Sequence, residues 1–141
     1  SVNNLNTSDD RLKINERPIT DALATITGLN YYEYERVTTL NGTDETGTDR
    51  GVIAQELLGT ELAFAVAGGG TEEVKRMDDD GNVANNTVEV PYCVNYNVLF
   101  VTALQAIKDL SAKVGLLETE NTLLKQQMTD ILKRLVVLET N

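Results

Sequence analysis

One short polar segment near the N-terminus carries the residue types that could perform a reaction. Ser8 and Lys13 lie five positions apart, with Arg11 between them. A serine hydroxyl becomes a nucleophile when a base takes its proton, and a lysine amine serves as that base once burial or a cationic neighbour favours its neutral form. A bend at Asp9-Asp10 would let the Lys13 amine reach the Ser8 hydroxyl, and Arg11 could then favour the neutral amine or stabilise an oxyanion.

The same segment also has a purely structural interpretation. Serine followed by two aspartates is typical of a helix N-cap or an Asx-turn, and Lys13 could be an ordinary surface charge. Spacing alone therefore leaves a catalytic pair and a capped turn both open.

The remaining composition narrows the possible chemistry. The chain has no histidine, which excludes Ser-His-Asp and Cys-His catalysis and removes the commonest metal ligand. Cys93 is the only cysteine, so no intrachain disulfide can form, and its Tyr-Cys-Val context predicts a buried thiol. Asp78-Asp79-Asp80-Gly81 lacks the flanking carboxylates of a calcium loop, and glycines 68–70 lack the Lys-Ser/Thr of a phosphate-binding loop. We expect no metal and no cofactor.

Charge and hydropathy exclude further classes of protein. The net charge of −10 argues against a nucleic-acid or anionic-membrane surface, which needs clustered lysine and arginine. No run of about 18 apolar residues is present, so no membrane span is predicted. The first residues show no signal-peptide pattern.

The longest predicted element is one amphipathic helix over residues 100–138, with apolar residues alternating at spacings of three and four. This is the heptad pattern by which helices supercoil around one another. The a and d positions of this seam are Ile107, Leu110, Val114, Leu117, Asn121, Leu124, Met128, Ile131, Leu135 and Leu138. A helix of about 40 residues is about 60 Å long, more than the rest of the chain could cover, so an oligomerisation stalk is favoured over a helix lying on its own domain.

The residues that flank the seam predict how the helices of the coiled coil pair. Lys113 and Glu118, Glu120 and Lys125, and Arg134 and Glu139 are opposite in charge at the five-residue spacing of a parallel, in-register coiled coil. Asn121 at an a position would fix that register, because only an aligned partner satisfies its amide. The seam residues allow a coiled coil of either two or three helices.

The preceding residues predict a small α+β head. We expect a short helix after Pro18 that ends near Gly28, a strand over residues 31–37, a loop over 38–50, and a strand passing into a helical turn over 51–58. A short strand is predicted over residues 64–67, ending in a flexible joint at glycines 68–70. A hairpin is predicted next, with arms 73–77 and 88–94 around Asp78. Because aromatic residues are only 5% of the chain, neighbouring subunits are expected to complete the core.

Three segments together resemble a known family. They are Ser8-Asp9-Asp10-Arg11-Leu12-Lys13, Gly51-Val52-Ile53-Ala54-Gln55-Glu56-Leu57 and Tyr92-Cys93-Val94-Asn95-Tyr96-Asn97-Val98-Leu99, in that order and followed by the seam. This combination is similar to the peptidase S74 family, the C-terminal intramolecular chaperone domains of phage tailspikes, tail fibres and neck appendages, which are related to the auto-cleaving domain of the myelin regulatory factor. The chain has Gly59-Thr60 where members often have a proline, which affects the loop geometry expected there.

The resemblance implies a homotrimer that aligns three copies of an upstream fibrous domain of the same polypeptide and then cuts itself off. Ser8 would be the nucleophile and Lys13 its base, supported by Asp9 and Arg11 and by Gln55 and Glu56 of the second segment. The cut would fall at Ser8–Asp9 or, as second choice, at Thr7–Ser8. The expected place is the host cytoplasm during virion assembly, with the domain released from the fibre or only transiently part of it.

The predicted organisation is an upstream remnant (1–7), an α+β head with the cleavage site (8–98), and a helix forming a parallel, trimeric coiled coil (99–141). Two other functions fit the same seam. One is a trimerisation tip that never cleaves and stays attached, and only the reactivity of Ser8 distinguishes it. The other is a coiled-coil adaptor with a ligand-binding head, for which five tyrosines and two phenylalanines are little material.

Overall fold

A computed structural model describes residues 8–77 and 79–141. Three helices are formed: α1 (Ala22–Gly28), α2 (Ala54–Leu57) and α3 (Tyr96–Glu139). Six strands are formed: β1 (Tyr32–Val37), β2 (Glu45–Gly51), β3 (Val66–Gly68), β4 (Thr71–Met77), β5 (Val83–Glu89) and β6 (Tyr92–Val94). Two 3-10 turns cover Asp10–Leu12 and Ala63–Ala65. The predicted α+β class, with short antiparallel strands before one long helix, is confirmed.

The strands form three separate two-stranded antiparallel sheets in the order β1-β2, β3-β6 and β4-β5. The β1–β2 pairing runs from Tyr32 opposite Gly51 to Val37 opposite Glu45, with an irregularity at Arg36/Val37. Two-stranded ribbons are marginal in water without support from packing. The head therefore depends on the contacts that these ribbons make with the rest of the chain.

A small apolar core lies where the head meets the base of α3. It is built from Val52, Leu57, Leu62, Ala65 and Leu99. Partly buried side chains packed around it are Leu29, Val66, Val94, Tyr96 and Val98. Half of the buried apolar residues of the described chain are alanines, which bury little area each.

Helix α3 has two parts with different surroundings. Its first turns pack on α1 and the core, with Leu99, Thr102 and Ala106 buried. From Ser111 to Asn141 every residue is exposed. At 1.5 Å per residue the 44-residue helix is about 66 Å long, and most of that length projects beyond the head. The apolar side of this projecting part is not covered by the described residues of the chain, as expected of a helix that associates with a partner.

Four local predictions are corrected by the structure. Residues 45–50, predicted as loop, form β2 together with Gly51, because backbone pairing with β1 orders a polar segment that has no apolar alternation of its own. The second hairpin arm ends at Glu89, and β6 instead pairs with β3. The predicted strand at residues 64–67 begins as the 3-10 turn Ala63–Ala65. Cys93 is exposed rather than buried, because its side chain borders a cavity beside Gln55 instead of joining the apolar core.

The three consecutive glycines form a defined turn. Gly68, Gly69 and Gly70 all have positive φ, between 78° and 84°. A Cβ on Gly68 would overlap the Pro91 carbonyl, and one on Gly69 would overlap the Tyr92 ring. Glycine is therefore required where β3 turns into β4, both for the left-handed backbone and for the close approach of residues 91–92. Residues 1–7 and Asp78 lie outside the described residues.

Candidate functional site

The segment that carries the candidate nucleophile is folded into one tight turn. Asp9 caps the 3-10 turn, and its Oδ1 accepts from the backbone N–H of Arg11 at 2.9 Å. The Arg11 guanidinium also forms two hydrogen bonds with this carboxylate: Nε donates to Oδ1 at 3.0 Å, and Nη2 donates to Oδ2 at 2.6 Å. The N–H groups of Leu12 and Lys13 donate to the carbonyls of Asp9 and Asp10. The bend anticipated at Asp9-Asp10 is thus formed and locked by its own side chains.

This turn brings Lys13 back to Ser8. Lys13 Nζ lies 3.0 Å from Ser8 Oγ and 3.1 Å from the Ser8 carbonyl oxygen, and it donates to both. The five-residue spacing therefore corresponds to direct contact between amine and hydroxyl. Such contact is the geometric requirement for a base that takes a proton from a nucleophile. The catalytic assignment of Ser8 and Lys13 stays a prediction that rests on this geometry.

The electrostatics of the turn are dominated by the Asp9–Arg11 pair. The guanidinium and backbone N–H of Arg11 lower the pKa of Asp9 below its ordinary value, and Asp9 in return raises the pKa of Arg11. Since Arg11 is turned towards Asp9, its anticipated action on Lys13 or an oxyanion stays a prediction. What the structure assigns to Asp9 and Arg11 is the shape of the turn.

Ser8 and Lys13 form the candidate dyad, and both side chains are exposed in the isolated chain. Two large apolar side chains flank Lys13 on either side, Leu12 and Ile14, and both are exposed. Within residues 8–77 and 79–141, no hydrogen bond joins the dyad to Gln55 or Glu56. Among the described residues of a single copy, hydrogen bonds therefore do not link the first of the three family-like segments (the signature segments) to the second.

The second signature segment forms the corner where β2 passes into α2. Glu56 accepts from the Tyr32 hydroxyl at 2.8 Å and from the Asn30 amide at 3.3 Å, which ties α2 to the start of β1. The hydrogen bond to Glu56 is the main cause that raises the pKa of Tyr32. Gln55 lines a cavity of about 470 Å³ beside Tyr92 and Cys93. The structure thus gives Glu56 a clear structural role and leaves the predicted catalytic support from Gln55 and Glu56 as a prediction.

The second and third segments meet at Tyr96. Its hydroxyl accepts from the backbone N–H of Val52 at 3.2 Å. A Cβ on Gly51 would overlap this hydroxyl and lie 3.1 Å from that of Tyr34, so Gly51 is required for space. Sequence reasoning missed the contacts of Asn30, Tyr32 and Tyr96, because partners 24 to 44 positions apart leave no local pattern.

The seam residues of α3 are all exposed in the isolated chain, including Asn121. The apolar members form a continuous stripe along the projecting part of the helix. No helix within the described part of the chain is long and apolar enough to cross a membrane. The described residues also contain no group of three or more His, Cys, Asp or Glu side chains that could hold a metal ion.

Comparison with models of known protein families gives a match. A family model described as Peptidase S74, chaperone of endosialidase, matches residues 8–61. The search of curated proteins finds no match. The family match begins at the nucleophile candidate Ser8 and covers the dyad turn and the whole Gly51–Leu57 segment. Residues 8–61 are therefore similar to the peptidase S74 family, the chaperones of endosialidase, which supports the resemblance seen in the first two sequence segments.

Proposed function

We propose that this domain is an intramolecular chaperone that trimerises, holds three copies of an upstream fibrous domain in register, and then releases itself by autoproteolysis next to Ser8. The observation that carries the proposal is the 3.0 Å contact between Lys13 Nζ and Ser8 Oγ across the capped turn. It is supported by the family match, which begins at the same serine. It is also supported by the apolar stripe on the projecting part of α3.

The proposed chemistry is general-base catalysis by an amine. Neutral Lys13 accepts the Ser8 hydroxyl proton along the existing 3.0 Å contact, which reverses the direction of that hydrogen bond. The oxygen then attacks a backbone carbonyl carbon, and the departing amine takes the proton back from Lys13. Water hydrolyses the resulting ester, which frees the serine and completes the cut.

The site of the cut is proposed as Ser8–Asp9, with Thr7–Ser8 as the alternative. Lys13 Nζ also contacts the Ser8 carbonyl oxygen at 3.1 Å, which supports polarisation of the Ser8–Asp9 bond. Attack by Ser8 Oγ on its own carbonyl would close a strained four-membered β-lactone, so a cut there needs the Ser8 hydroxyl of another copy. Attack on the Thr7 carbonyl closes a less strained ring, and Thr7 lies outside the described residues.

Because the dyad is exposed in a single copy, the proposed reaction depends on assembly to remove water from it. An exposed lysine amine carries a proton at neutral pH and cannot accept another, whereas removal of water favours its neutral form. Packing of neighbouring copies onto Leu12 and Ile14 would exclude water from the amine between them. Cleavage would then follow correct assembly and report on it.

The β4–β5 ribbon is proposed as an arm that holds the upstream domain, together with the loop at Asn41. All its residues are exposed except for partly buried Val74 and Val88, and the described strands of this sheet pair only with each other. Two such strands gain stability by packing on a partner. Deletion of residues 78–85 should therefore lower the yield of upstream trimer, and an unchanged yield would contradict this role.

The setting is proposed as virion assembly in the host cytoplasm, where the domain is at first the C-terminal part of a fibre or appendage protein. Its partners would be two further copies of itself and the upstream domain of the same polypeptide. This setting follows from the family's association with an endosialidase and from the trimer proposal.

The experiment that tests the function is intact-mass measurement, under denaturing conditions, of a chain carrying about 100 natural upstream residues. Beside the parent, Ser8→Ala and Lys13→Ala variants are measured, with Lys108→Ala as a matched control because that lysine lies on α3 away from the turn. The expected result is two fragments in the parent and the control and one uncut chain in both dyad variants. The two candidate bonds give fragments that differ by one serine residue.

One uncut chain in all four proteins would contradict autoproteolysis. If that protein is trimeric by light scattering, the domain is a permanent registration tip, which is the second candidate function. The exposure of the dyad in the isolated chain is the observation that favours this second function. A monomeric protein would contradict both.

A further inference from the structure

An apolar groove lies beside the base of α3, between this helix and the β1–β2 ribbon. Its volume is about 540 Å³, and the residues that matter here are Tyr31, Tyr32, Tyr96, Leu99, Phe100 and Ala103. The charged groups at its edge, Glu33 and Arg50, are paired with each other at 2.6 Å. The groove therefore presents aromatic and aliphatic surface without an unpaired charge, which suits an apolar occupant.

A second apolar surface adjoins the groove on the same helical turns. Leu104 is 64% exposed, and its neighbours Val101 and Ile107 are 50% and 62% exposed. Three large apolar side chains in two turns of a helix indicate a surface that a partner covers.

The heptad frame relates these two surfaces to each other. Extending the seam by one heptad towards the N-terminus places Phe100 at a, Ala103 at d, Leu99 at g and Leu104 at e. In a parallel coiled coil, a g residue faces the e residue five positions later in the next helix. Leu99 and Leu104 therefore stand in the same relation as Lys113 and Glu118, but as an apolar pair.

From this relation we infer that Leu104 of a second copy of this chain fills the groove beside Leu99 and Phe100. The groove is lined by the a, d and g positions, which are the ones that a neighbouring helix meets. It lies on the same line as the exposed seam, so a second copy held by the seam already has its helix beside the opening. The inference rests on the parallel oligomer of the proposed function and extends its interface from the stalk into the head.

Such an interface would connect assembly to the second signature segment. Tyr31 and Tyr32 belong to the groove wall, and the Tyr32 hydroxyl donates to Glu56 at 2.8 Å. A side chain from the next copy would press on the same tyrosine that holds Glu56. The occupied groove would therefore fix the corner between β2 and α2.

The test is a disulfide between different copies of the full chain in a Cys93→Ser background. Chains carrying Leu104→Cys are co-expressed with mass-labelled chains carrying Tyr31→Cys, oxidised, and measured by intact mass. Leu116→Cys replaces Leu104→Cys in the control, because Leu116 is also exposed on α3 but lies at position c, outside the a, d, e and g positions. We expect at least about tenfold more crosslink between the labelled and unlabelled chains from position 104 than from position 116.

Equal crosslinking from positions 104 and 116 in a sample that is trimeric by light scattering would overturn the inference and leave the trimer standing. A monomeric sample would overturn both. These two results keep the failure of the groove contact separate from failure of the proposed function.

A second measurement does not depend on disulfide geometry. Leu104→Asn should weaken association of the chain by about tenfold or more for each groove, since a buried leucine is lost, whereas Leu116→Asn should leave it unchanged. Association is measured by sedimentation over a range of concentrations. Equal effects of the two variants would contradict the inference. So would a parental trimer that binds an apolar dye in the groove, because Leu104 would then not fill it.

Discussion

The hydroxyl of Tyr96 accepts a hydrogen bond from the backbone N–H of Val52 at 3.2 Å. Tyr96 is the first residue of the long helix, and Val52 is a buried residue at the corner between β2 and α2. The contact therefore joins the first turn of α3 to the segment that follows Gly51. Through it, the orientation of the helix is fixed relative to the part of the head that the family match covers.

The first prediction concerns the close approach at Gly51. Tyr96→Phe leaves the Val52 N–H without its partner and should cost about 1–3 kcal/mol of unfolding free energy. Gly51→Ala should destabilise the head because its Cβ overlaps the Tyr96 hydroxyl. The two changes together should cost less than their sum, since the phenylalanine removes the overlapping atom. Urea unfolding of all four proteins measures this coupling, and additive costs would contradict the contact.

A second prediction uses two adjacent leucines of α3. Leu124 and Leu123 are equally exposed in the isolated chain, at 56% and 57%, but only Leu124 lies in the seam. Leu124→Asp should dissociate the oligomer because it places a charge between the helices, whereas Leu123→Asp should leave it assembled. Light scattering at matched concentrations distinguishes them. The same oligomeric state in both variants would contradict the heptad assignment.

The third prediction concerns the base in the dyad. Lys13→Arg keeps a cation and donors near Ser8, but a guanidinium does not give up its proton. Cleavage should fall by at least about a hundredfold, as for loss of a general base, while the turn stays folded. Intact mass against time measures the rate, and chemical shifts of residues 9–12 report the turn. Parental cleavage in this variant would show that residue 13 is not the base.

The fourth prediction follows from the lowered pKa of Asp9. Because the folded turn favours the carboxylate, its contribution to stability is present above the ordinary aspartate pKa of 3.8 and is lost as pH falls through the lowered value. Arg11→Gln should move the Asp9 midpoint back up towards 3.8, and Arg17→Gln should not. The carboxyl carbon shift of Asp9 in an NMR titration gives the midpoint directly. An Asp9 midpoint that Arg11→Gln leaves in place would contradict the side-chain pairing.

The fifth prediction concerns the raised pKa of Tyr32, which affects stability at alkaline pH. Hydrogen bonding to Glu56 raises the pKa of Tyr32 above 10.0, so the stabilisation is present below that pH and is lost as pH rises through the raised value. Glu56→Gln should lower the midpoint towards 10.0, because it removes the negative charge. Tyrosinate absorbance measures this, and Tyr32→Phe identifies which transition belongs to Tyr32. A midpoint that Glu56→Gln leaves unchanged would rule out this cause.

Features that depend on neighbours in sequence could be predicted from the sequence. The bend at Asp9-Asp10 and the return of Lys13 to Ser8 occur within six residues, and local side-chain chemistry favours such a turn. The pairing of Arg11 with Asp9 was not predicted, because Arg11 was expected to act on Lys13 or on an oxyanion. The long helix follows from an apolar period sustained over about 30 residues. The turn and the long helix were therefore visible without knowledge of the fold.

Features that depend on distant partners were decided only by the tertiary structure. Strand β2 is polar along its length and is ordered by backbone pairing with β1, and β6 pairs with β3 rather than extending the nearby hairpin. The groove at the base of α3 and the Tyr96–Val52 contact likewise bring together residues more than 40 positions apart. An exposed two-stranded ribbon has no buried face, so it imposes no alternation on its sequence, and its partner is fixed only when the whole chain packs.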